Sequence, residues 1–509
     1  MAPNELVTGL ESRGSFGRLV RDTRRRRGLS QAELAKALGV TPSLVSKLER
    51  GHMTPSPRVA ERCKEVLGES NLAREVRSAR VIDPAVHEGP DAPGQLTLGF
   101  SETQDWVADL LPKETLLSAG PPAVFHWDID QTIRELAYLT HDYFRYYGKF
   151  PPTIPRKLLR DLRPRRGTWV LDNFAGSGTT AVESLCEGLP SVSVDISPLA
   201  TLATRVKTTV LDERPIMHAL EDVLRVAEVS RIRGDGPLPA DPALLEQWFT
   251  PSAQQGLAAV RVGIREVKDD SIRAFLTVAF LAIIRRVSRA YDGEVRPHVN
   301  PDKKERPVHV AYRKKVLEMV QRMMALRREV SVTARTVAIT GDNRQLTALA
   351  DWSSHPVGLV ISHPPYLNCF DYVPVYKLEY AWAQGLEDFG SGVDYRALRK
   401  SETRCWPATD ERVFEGYFAG LSQAYKEVAE ITQRGTRCCV VLGDCTIKGR
   451  VIPVLARFAE SMAEIGFRLE RTYLRSTHYG IGKYAYADRA DYHGNEAKKN
   501  DGVLVFLRR

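Results

Sequence analysis

Two short segments of this chain hold residues whose types and spacing can do chemistry. The first runs Leu171, Asp172, Asn173, Phe174, Ala175, Gly176, Ser177, Gly178, Thr179, Thr180. Small residues let a strand turn at once into a helix and leave backbone N–H groups facing a ligand. Asp195, at the end of the next apolar run, can chelate a ribose diol through two charge-assisted hydrogen bonds. No Gly-Lys-Ser/Thr follows the loop, so a nucleoside triphosphate lacks its lysine, and the GxGxxG spacing of a dinucleotide site is incomplete. A tight structural turn, with Asp195 an exposed turn acid before Pro198, is the alternative reading. The second segment is Ile361, Ser362, His363, Pro364, Pro365, Tyr366. Two consecutive prolines remove two donors and stiffen the chain, so carbonyls are expected to point outward beside an aromatic ring. That platform suits an exocyclic amine whose heterocycle stacks on the ring. A plain Pro-Pro loop is the alternative, and it loses ground if both segments share one sheet edge.

A sheet must hold these segments. Residues 169–172 read as a strand, 181–187 as the start of a helix and 191–195 as a second strand, which opens a βαβ unit. The next strand with a terminal acid, residues 336–339 before Gly341 and Asp342, places Asp342 147 residues after Asp195. A crossover takes a few tens of residues, so roughly 100 are inserted. The insert, about 215–330, is expected to be helical, because residues 271–289 and 313–328 show apolar periodicity near 3.6. Alternation resumes with strands at 358–361 and 438–443 and a hairpin-like pair ending at 502–507. The fold class expected is α/β, Rossmann-like with a helical insert, preceded by an all-α domain.

At 509 residues the chain has room for about three domains, which excludes a small stapled scaffold. With 43% hydrophobic and 27% charged residues it reads as globular, neither fibrous nor disordered. The N-terminus has no apolar core of signal-peptide length, and the run from Phe275 to Ile284 is too short to span a bilayer, so a cytoplasmic protein without membrane contact is expected. Seven cysteines form no CxxC pair, which argues for reduced thiols and against a zinc cluster or other metal site. Of the net charge of +9, most sits in residues 1–80, with 16 Lys/Arg against 9 Asp/Glu. A concentrated basic segment attracts polyanions, nucleic acid above all, although a solvated basic face has the same composition.

Within that basic segment, Ser30 and Glu33 have capping-box spacing at the head of a helix over residues 31–38. A corner at 39–41, where Gly39 supplies a positive φ, leads to a second helix over 42–50 that stops at Gly51. Residues 81–122 carry six prolines and read as a linker. Residues 29–51 resemble the helix-turn-helix of the Cro and phage-repressor family, with the domain over 14–70. That resemblance implies groove contacts by Thr41, Ser43, Ser46 and Lys47, with Arg24 to Arg27 near the DNA backbone. Pro42 and two serines offer little bidentate base reading, so modest sequence preference is expected; the resemblance also implies the homodimer usual for such modules, and a protein-interaction module of the same fold is the alternative.

Over residues 123–509 the chain resembles the amino-group DNA methyltransferases. Phe174 to Thr180 is similar to their S-adenosylmethionine motif, and His363-Pro364-Pro365-Tyr366 to their catalytic Asp/Asn/Ser-Pro-Pro-Tyr/Phe motif. Residues 141–152, with Lys149 and Phe150, are similar to the upstream cofactor segment of cytosine-N4 members. The resemblance implies S-adenosylmethionine as donor, double-stranded DNA as partner and a flipped target base. Lys149, Phe150, Asp172, Phe174, Ala175, Gly176, Ser177, Gly178 and Thr179 would line the donor site, with Asp195 on the ribose and Asp342 on the adenine amine. Ser362, His363, Pro364, Pro365 and Tyr366 would form the target site for direct in-line transfer. His363 departs from the family pattern and accepts only when neutral, so Ser362 is a second candidate acceptor. Cytosine N4 is favoured over adenine N6. An RNA guanine-N2 methyltransferase and a non-catalytic S-adenosylmethionine-binding regulator stay open, as does a cognate restriction or phage-defence partner. Asn368, Asp371, Tyr372 and Lys377 are candidate contacts to the flipped nucleotide or else packing residues. Arg285 and Arg286 can grip phosphates, or else be solvated or paired. Asp444 and Gly449 read as a structural turn, and residues 478–499 as either a nucleic-acid contact or an ordinary loop.

Overall fold

The apolar runs that flank the two chemistry-bearing segments become neighbouring strands. In the computed structural model the strands are β1 (Ala123–His126), β2 (Trp169–Asp172), β3 (Ser191–Asp195), β4 (Thr336–Thr340), β5 (Val357–Ser362), β6 (Thr432–Gly443), β7 (Cys445–Ile447), β8 (Arg450–Ile452), β9 (Phe467–Arg475) and β10 (Asp501–Arg508). Eight of them form one sheet in the order β1-β9-β10-β6-β5-β2-β3-β4, while β7 and β8 pair separately. All its pairings are parallel except those of β10, which runs antiparallel to both β6 and β9. The residues described are 19–38, 45, 49, 62–63, 65–68, 123–126, 137–148, 151–330, 334–389, 393–447, 450–475 and 501–509.

Strand order reverses between β2 and β5: from β2 the chain builds outward through β3 and β4, and from β5 the other way through β6. In open α/β sheets ligands bind at such a switch point, beyond the carboxyl ends of the strands. Leu171 pairs with Val360, so Asp172 and Ser362 end adjacent strands at that crevice. The Gly-rich loop and the Pro-Pro loop therefore leave the sheet side by side.

The insert is helical, as its periodicity predicts, with helices Glu213–Arg233, Pro242–Trp248, Pro251–Arg265, Asp270–Val287 and Val308–Glu329. Asp270–Val287 is apolar around most of its circumference and is buried accordingly. Its core is continuous with Tyr143, Tyr146, Leu199, Tyr376 and Trp382, so the insert packs on the helices that follow the Pro-Pro loop. Arg285 corrects the phosphate-gripping expectation: it is buried and donates to Tyr147 Oη and to the Glu294 and Val295 carbonyls, each at 2.9 Å, and to the Val375 carbonyl. Arg286 is exposed.

The chain divides into two compact units, Met1–Leu98 and Gly99–Arg509. In the first, helix Gln31–Leu38 starts at the expected capping box: Glu33 N donates to Ser30 Oγ at 3.1 Å and Ser30 N to Glu33 Oε2 at 2.7 Å. Leu34, Ala35, Leu38, Val45, Cys63 and Leu67 close a small core. Arg24, expected near a DNA backbone, is instead buried and forked onto Glu49, which also accepts from Gln31 Nε2 at 2.8 Å. Thr41, Ser43, Ser46, Lys47, the linker at 81–122 and residues 478–499 lie outside the described residues. Among the described residues no helix is long and apolar enough to cross a membrane.

Candidate active site

One cavity opens at the switch point, and both motifs line it. Its walls include Asn173, Phe174, Ala175, Gly176, Ser177 and Thr179 from the loop after β2. Asp195 after β3, Asp342 after β4 and His363 and Pro365 after β5 complete the sheet side. Lys149 and Phe150 lie outside the described residues, but Tyr146 and Gly148 of the same segment line the cavity.

The loop has its shape because two glycines permit it. Gly178 has φ 78° and caps helix Thr179–Cys186; a Cβ there would lie 2.7 Å from Thr204 Cγ2. At Gly176, φ 49°, a Cβ would stand 3.0 Å from the Tyr146 ring that forms the opposite wall. Asp172 corrects its assignment as a lining residue: it is buried behind the loop, accepting from Phe174 N at 3.1 Å and Thr180 Oγ1 at 2.5 Å. Burial pushes its carboxyl up to about 7 against those two bonds. Gly178 and Pro364 are likewise buried and shape their turns from outside the lining.

Asp195 does face the cavity. Each of its oxygens accepts one backbone N–H, from Gly176 at 2.8 Å and Ser197 at 2.9 Å, which leaves a lone pair on each for a diol. Burial raises it to about 6 against those bonds. Asp342 also lines the cavity but is heavily engaged. Arg344 reaches it with its backbone N at 2.9 Å, Nε at 2.8 and 3.1 Å and Nη2 at 2.6 Å. Burial opposes ionisation of Asp342, yet the guanidinium outweighs it and holds the carboxyl below the ordinary range.

On the β5 side, His363 is half-buried with its ring 5.3 Å from that of Tyr366, edge to face. Ser362 is 0% exposed and donates to Asn173 Oδ1 at 2.7 Å, with Tyr425 Oη at 2.8 Å. Its hydroxyl braces β5 against the Gly-rich loop and does not line the cavity. The outward-carbonyl expectation fails for Pro365, whose carbonyl accepts from buried Tyr417 Oη at 2.8 Å.

Several residues of the wall and of its support carry no motif. Lys207, 0% exposed and thirty residues downstream, donates to both the carbonyl and Oγ of Ser177 at 2.8 Å. Tyr146 stacks on Tyr376 at 5.2 Å and on Tyr372 at 6.0 Å, nearly parallel to each. Tyr380 Oη lies 2.7 Å from Ser197 Oγ. The 372, 376, 380 spacing is helical and could have flagged these tyrosines as one face. Ser401, Glu402 and Thr403 close the cavity from sixty residues beyond Asp342 with no sequence signal. Glu402 Oε1 accepts from Tyr372 N and, at 3.1 Å, from Val373 N, while Oε2 is buried without a partner. Asn173 Nδ2 is a second buried orphan.

Of the remaining expected contacts, Tyr372 alone lines the cavity. Asp371 accepts from Cys405 N, Asn368 holds φ 61° with its Oδ1 near Ala408 N, and Lys377 Nζ sits 4.3 Å over Trp248. Asp444 caps the next helix through Leu455 N at 3.1 Å, a structural turn, and Gly449 lies outside the described residues.

Comparison with known proteins agrees with both sequence resemblances. Residues 15–76 match a helix-turn-helix domain model. An uncharacterized HTH-type transcriptional regulator of Methanothermobacter thermautotrophicus is 39% identical over 54 residues, 11% of this chain and 78% of the regulator. Type II methyltransferase M.MvaI of Kocuria varians is 28% identical over 177 residues, 33% of this chain and 38% of that protein. Type II methyltransferase M.BsoBI of Geobacillus stearothermophilus is 22% identical over 292 residues, 52% of this chain and 56% of that protein. The chain thus spans between about two fifths and three fifths of these methyltransferases.

Proposed function

We propose, for a chain that carries an N-terminal helix-turn-helix domain and is similar to type II methyltransferases beyond it, that it moves a methyl group from S-adenosylmethionine to an exocyclic amine of a DNA base, with cytosine N4 preferred over adenine N6. The observation that carries the reading is the meeting of the Gly-rich loop and the His363 loop in one cavity at the β2/β5 switch point. The residues of the cavity fit such a donor. Gly176 leaves a cradle that a Cβ would fill against Tyr146, a carboxylate with open lone pairs stands at Asp195, and two buried polar atoms lack partners.

When bound, the donor supplies an electrophilic methyl on a sulfonium. The chain's residues prepare the amine. A base amine is a poor nucleophile because its lone pair is delocalised into the ring, and hydrogen bonding to an acceptor draws it toward a tetrahedral centre. The imidazole of His363, when neutral, has one acceptor nitrogen suited to that proton, and the Tyr366 ring packs edge to face against it. Loops fixed by Asp172, Lys207 and Ser362 keep donor and acceptor aligned, which is where positional catalysis comes from. The helix-turn-helix domain is read as docking duplex DNA, the helical insert as target recognition, and the compartment as cytoplasm.

The test is incubation with tritiated S-adenosylmethionine and, in separate reactions, mixed duplex DNA or RNA, followed by nucleoside mass spectrometry. N4-methylcytosine or N6-methyladenine names the base. Methylated RNA guanine, or cofactor retained with no methylated product, overturns the reading in favour of an RNA enzyme or a regulator. His363→Ala is expected to lower turnover by at least about tenfold, in line with loss of one positioned acceptor.

A further inference from the structure

Asp342 occupies the position at which the family resemblance puts the carboxyl for the donor's adenine amine, but three N–H groups of Arg344 already hold most of its acceptor sites. A carboxylate has about four acceptor sites. Arg344 makes four contacts with Asp342, at 2.6 to 3.1 Å, two on each oxygen. The same Arg344 Nη2 donates at 2.6 Å to the carbonyl of Ser401, so the arginine ties Asp342 to the segment that begins with Glu402. Ser401, Glu402 and Thr403 line the cavity on that same side.

Glu402 has what Asp342 lacks. It is 8% exposed, Oε1 is anchored by Tyr372 N and Val373 N, and Oε2 has no partner. A buried carboxylate oxygen without a donor is costly, and native proteins seldom keep one without a water, an ion, a proton or a ligand to complete it; here the oxygen belongs to a residue that lines the cavity. The backbone anchor also fixes the carboxyl plane, so Oε2 is pre-oriented. Burial lifts this carboxyl to about 7 despite the two N–H bonds.

We propose that Glu402, and not Asp342, is the carboxyl that accepts the hydrogen bond from the exocyclic amine of the donor's adenine, with Asp342 and Arg344 acting as the brace that positions residues 401–403. The inference rests on the methyl-donor reading above. It adds that adenine recognition comes from a segment well beyond the two motifs.

Glu402→Gln separates this role from a structural one. The glutamine keeps a carbonyl oxygen for Tyr372 N and Val373 N but turns an NH2 toward the ligand, so donor faces donor. Binding of S-adenosylhomocysteine and of its 6-oxo counterpart, S-inosylhomocysteine, is measured by calorimetry on the full chain, with a thermal melt for each variant. Wild type is expected to prefer the amine over the 6-oxo ligand by at least about tenfold, the scale of one buried hydrogen bond that cannot be made. Glu402→Gln is expected to melt like wild type and to lose or invert that preference. An unchanged preference in Glu402→Gln overturns the proposal. So does a preference that survives Glu402→Gln and disappears in Asp342→Asn. Wild type that binds neither ligand overturns the donor reading itself, an outcome distinct from the other two.

Discussion

Gly178 is the sharpest place to test why the loop is built as it is, because the same helix carries a control. Gly178 precedes helix Thr179–Cys186 at φ 78°, and Gly188 follows it at φ 68°. Alanine at either position meets the left-handed conformation, at a cost of about 1–2 kcal/mol. Only at Gly178 does the added Cβ collide: Thr204 Cγ2 and Oγ1 would stand at 2.7 Å and its Cβ at 2.9 Å, whereas nothing lies within 4 Å of a Cβ at Gly188. Overpacking of that kind adds about 1–3 kcal/mol, so Gly178→Ala should cost about 2–5 kcal/mol and Gly188→Ala about 1–2 kcal/mol. Thr204 cannot retreat freely, since its hydroxyl bonds the Gly176 carbonyl at 3.2 Å and the Ala200 carbonyl at 3.0 Å. Relief would therefore come from the loop itself, and affinity for S-adenosylhomocysteine should fall in Gly178→Ala but hold in Gly188→Ala. Urea denaturation and calorimetry on the two variants read both effects. Adding Thr204→Ala to Gly178→Ala should recover part of the steric cost and none of the dihedral cost. Equal destabilisation of the two single variants would refute the argument that backbone approach, beyond φ, demands glycine at 178.

Lys207→Met keeps length but removes both bonds to Ser177, leaving its buried carbonyl unsatisfied; a loss of about 1–3 kcal/mol is expected by denaturant titration, with weaker donor binding. Arg285→Ala should destabilise by about 3–5 kcal/mol, since it strands Glu379, whose carboxylate lies 3.6 Å from the guanidinium; it should leave the salt slope of DNA affinity unchanged, and a shallower slope would restore the phosphate role. Burial holds Asp172 at about 7 and Asp195 at about 6, so the folded chain keeps protons that the unfolded chain releases near pH 4. Stability from both groups is then full below about pH 4 and is lost as pH rises toward about 7, and Asp172→Asn should gain on wild type across that window; a flat difference contradicts this. Donor affinity should move oppositely, weakening as pH falls through about 6, because protonated Asp195 offers a diol fewer acceptor sites.

The parts of the site that were legible in the sequence are those whose geometry is decided within a few residues. A short apolar run ending in an acid, followed by small residues, leaves few backbone solutions, and β2, β3 and the loop at 173–178 fall where their patterns put them. His363 and Asp195 follow, because the carboxyl ends of β5 and β3 open onto the same crevice and both residues line it. Residues set by partners far along the chain were not legible. Arg24 reads as a DNA-backbone contact and Arg285 as a phosphate-gripping, solvated or paired cation, because nothing nearby announces Glu49 or the carbonyls of Glu294, Val295 and Val375. The outward carbonyl of Pro365 was a sound local inference that Tyr417, 52 residues on, overrides.

The same division has a consequence for specificity. One half of the cavity is built by loops that any sheet of this order must place there. The other half, Tyr146, Tyr372, Tyr376, Tyr380 and Glu402, is built by the segment before β2 and by the helices and connections at 372–402, where Tyr147, Tyr376 and Arg285 join in one network with the insert. A change within that core can therefore alter the wall that faces the ligand without touching either motif. What the chain selects should follow residues 372–403 and their support more closely than the Gly-rich and Pro-Pro loops.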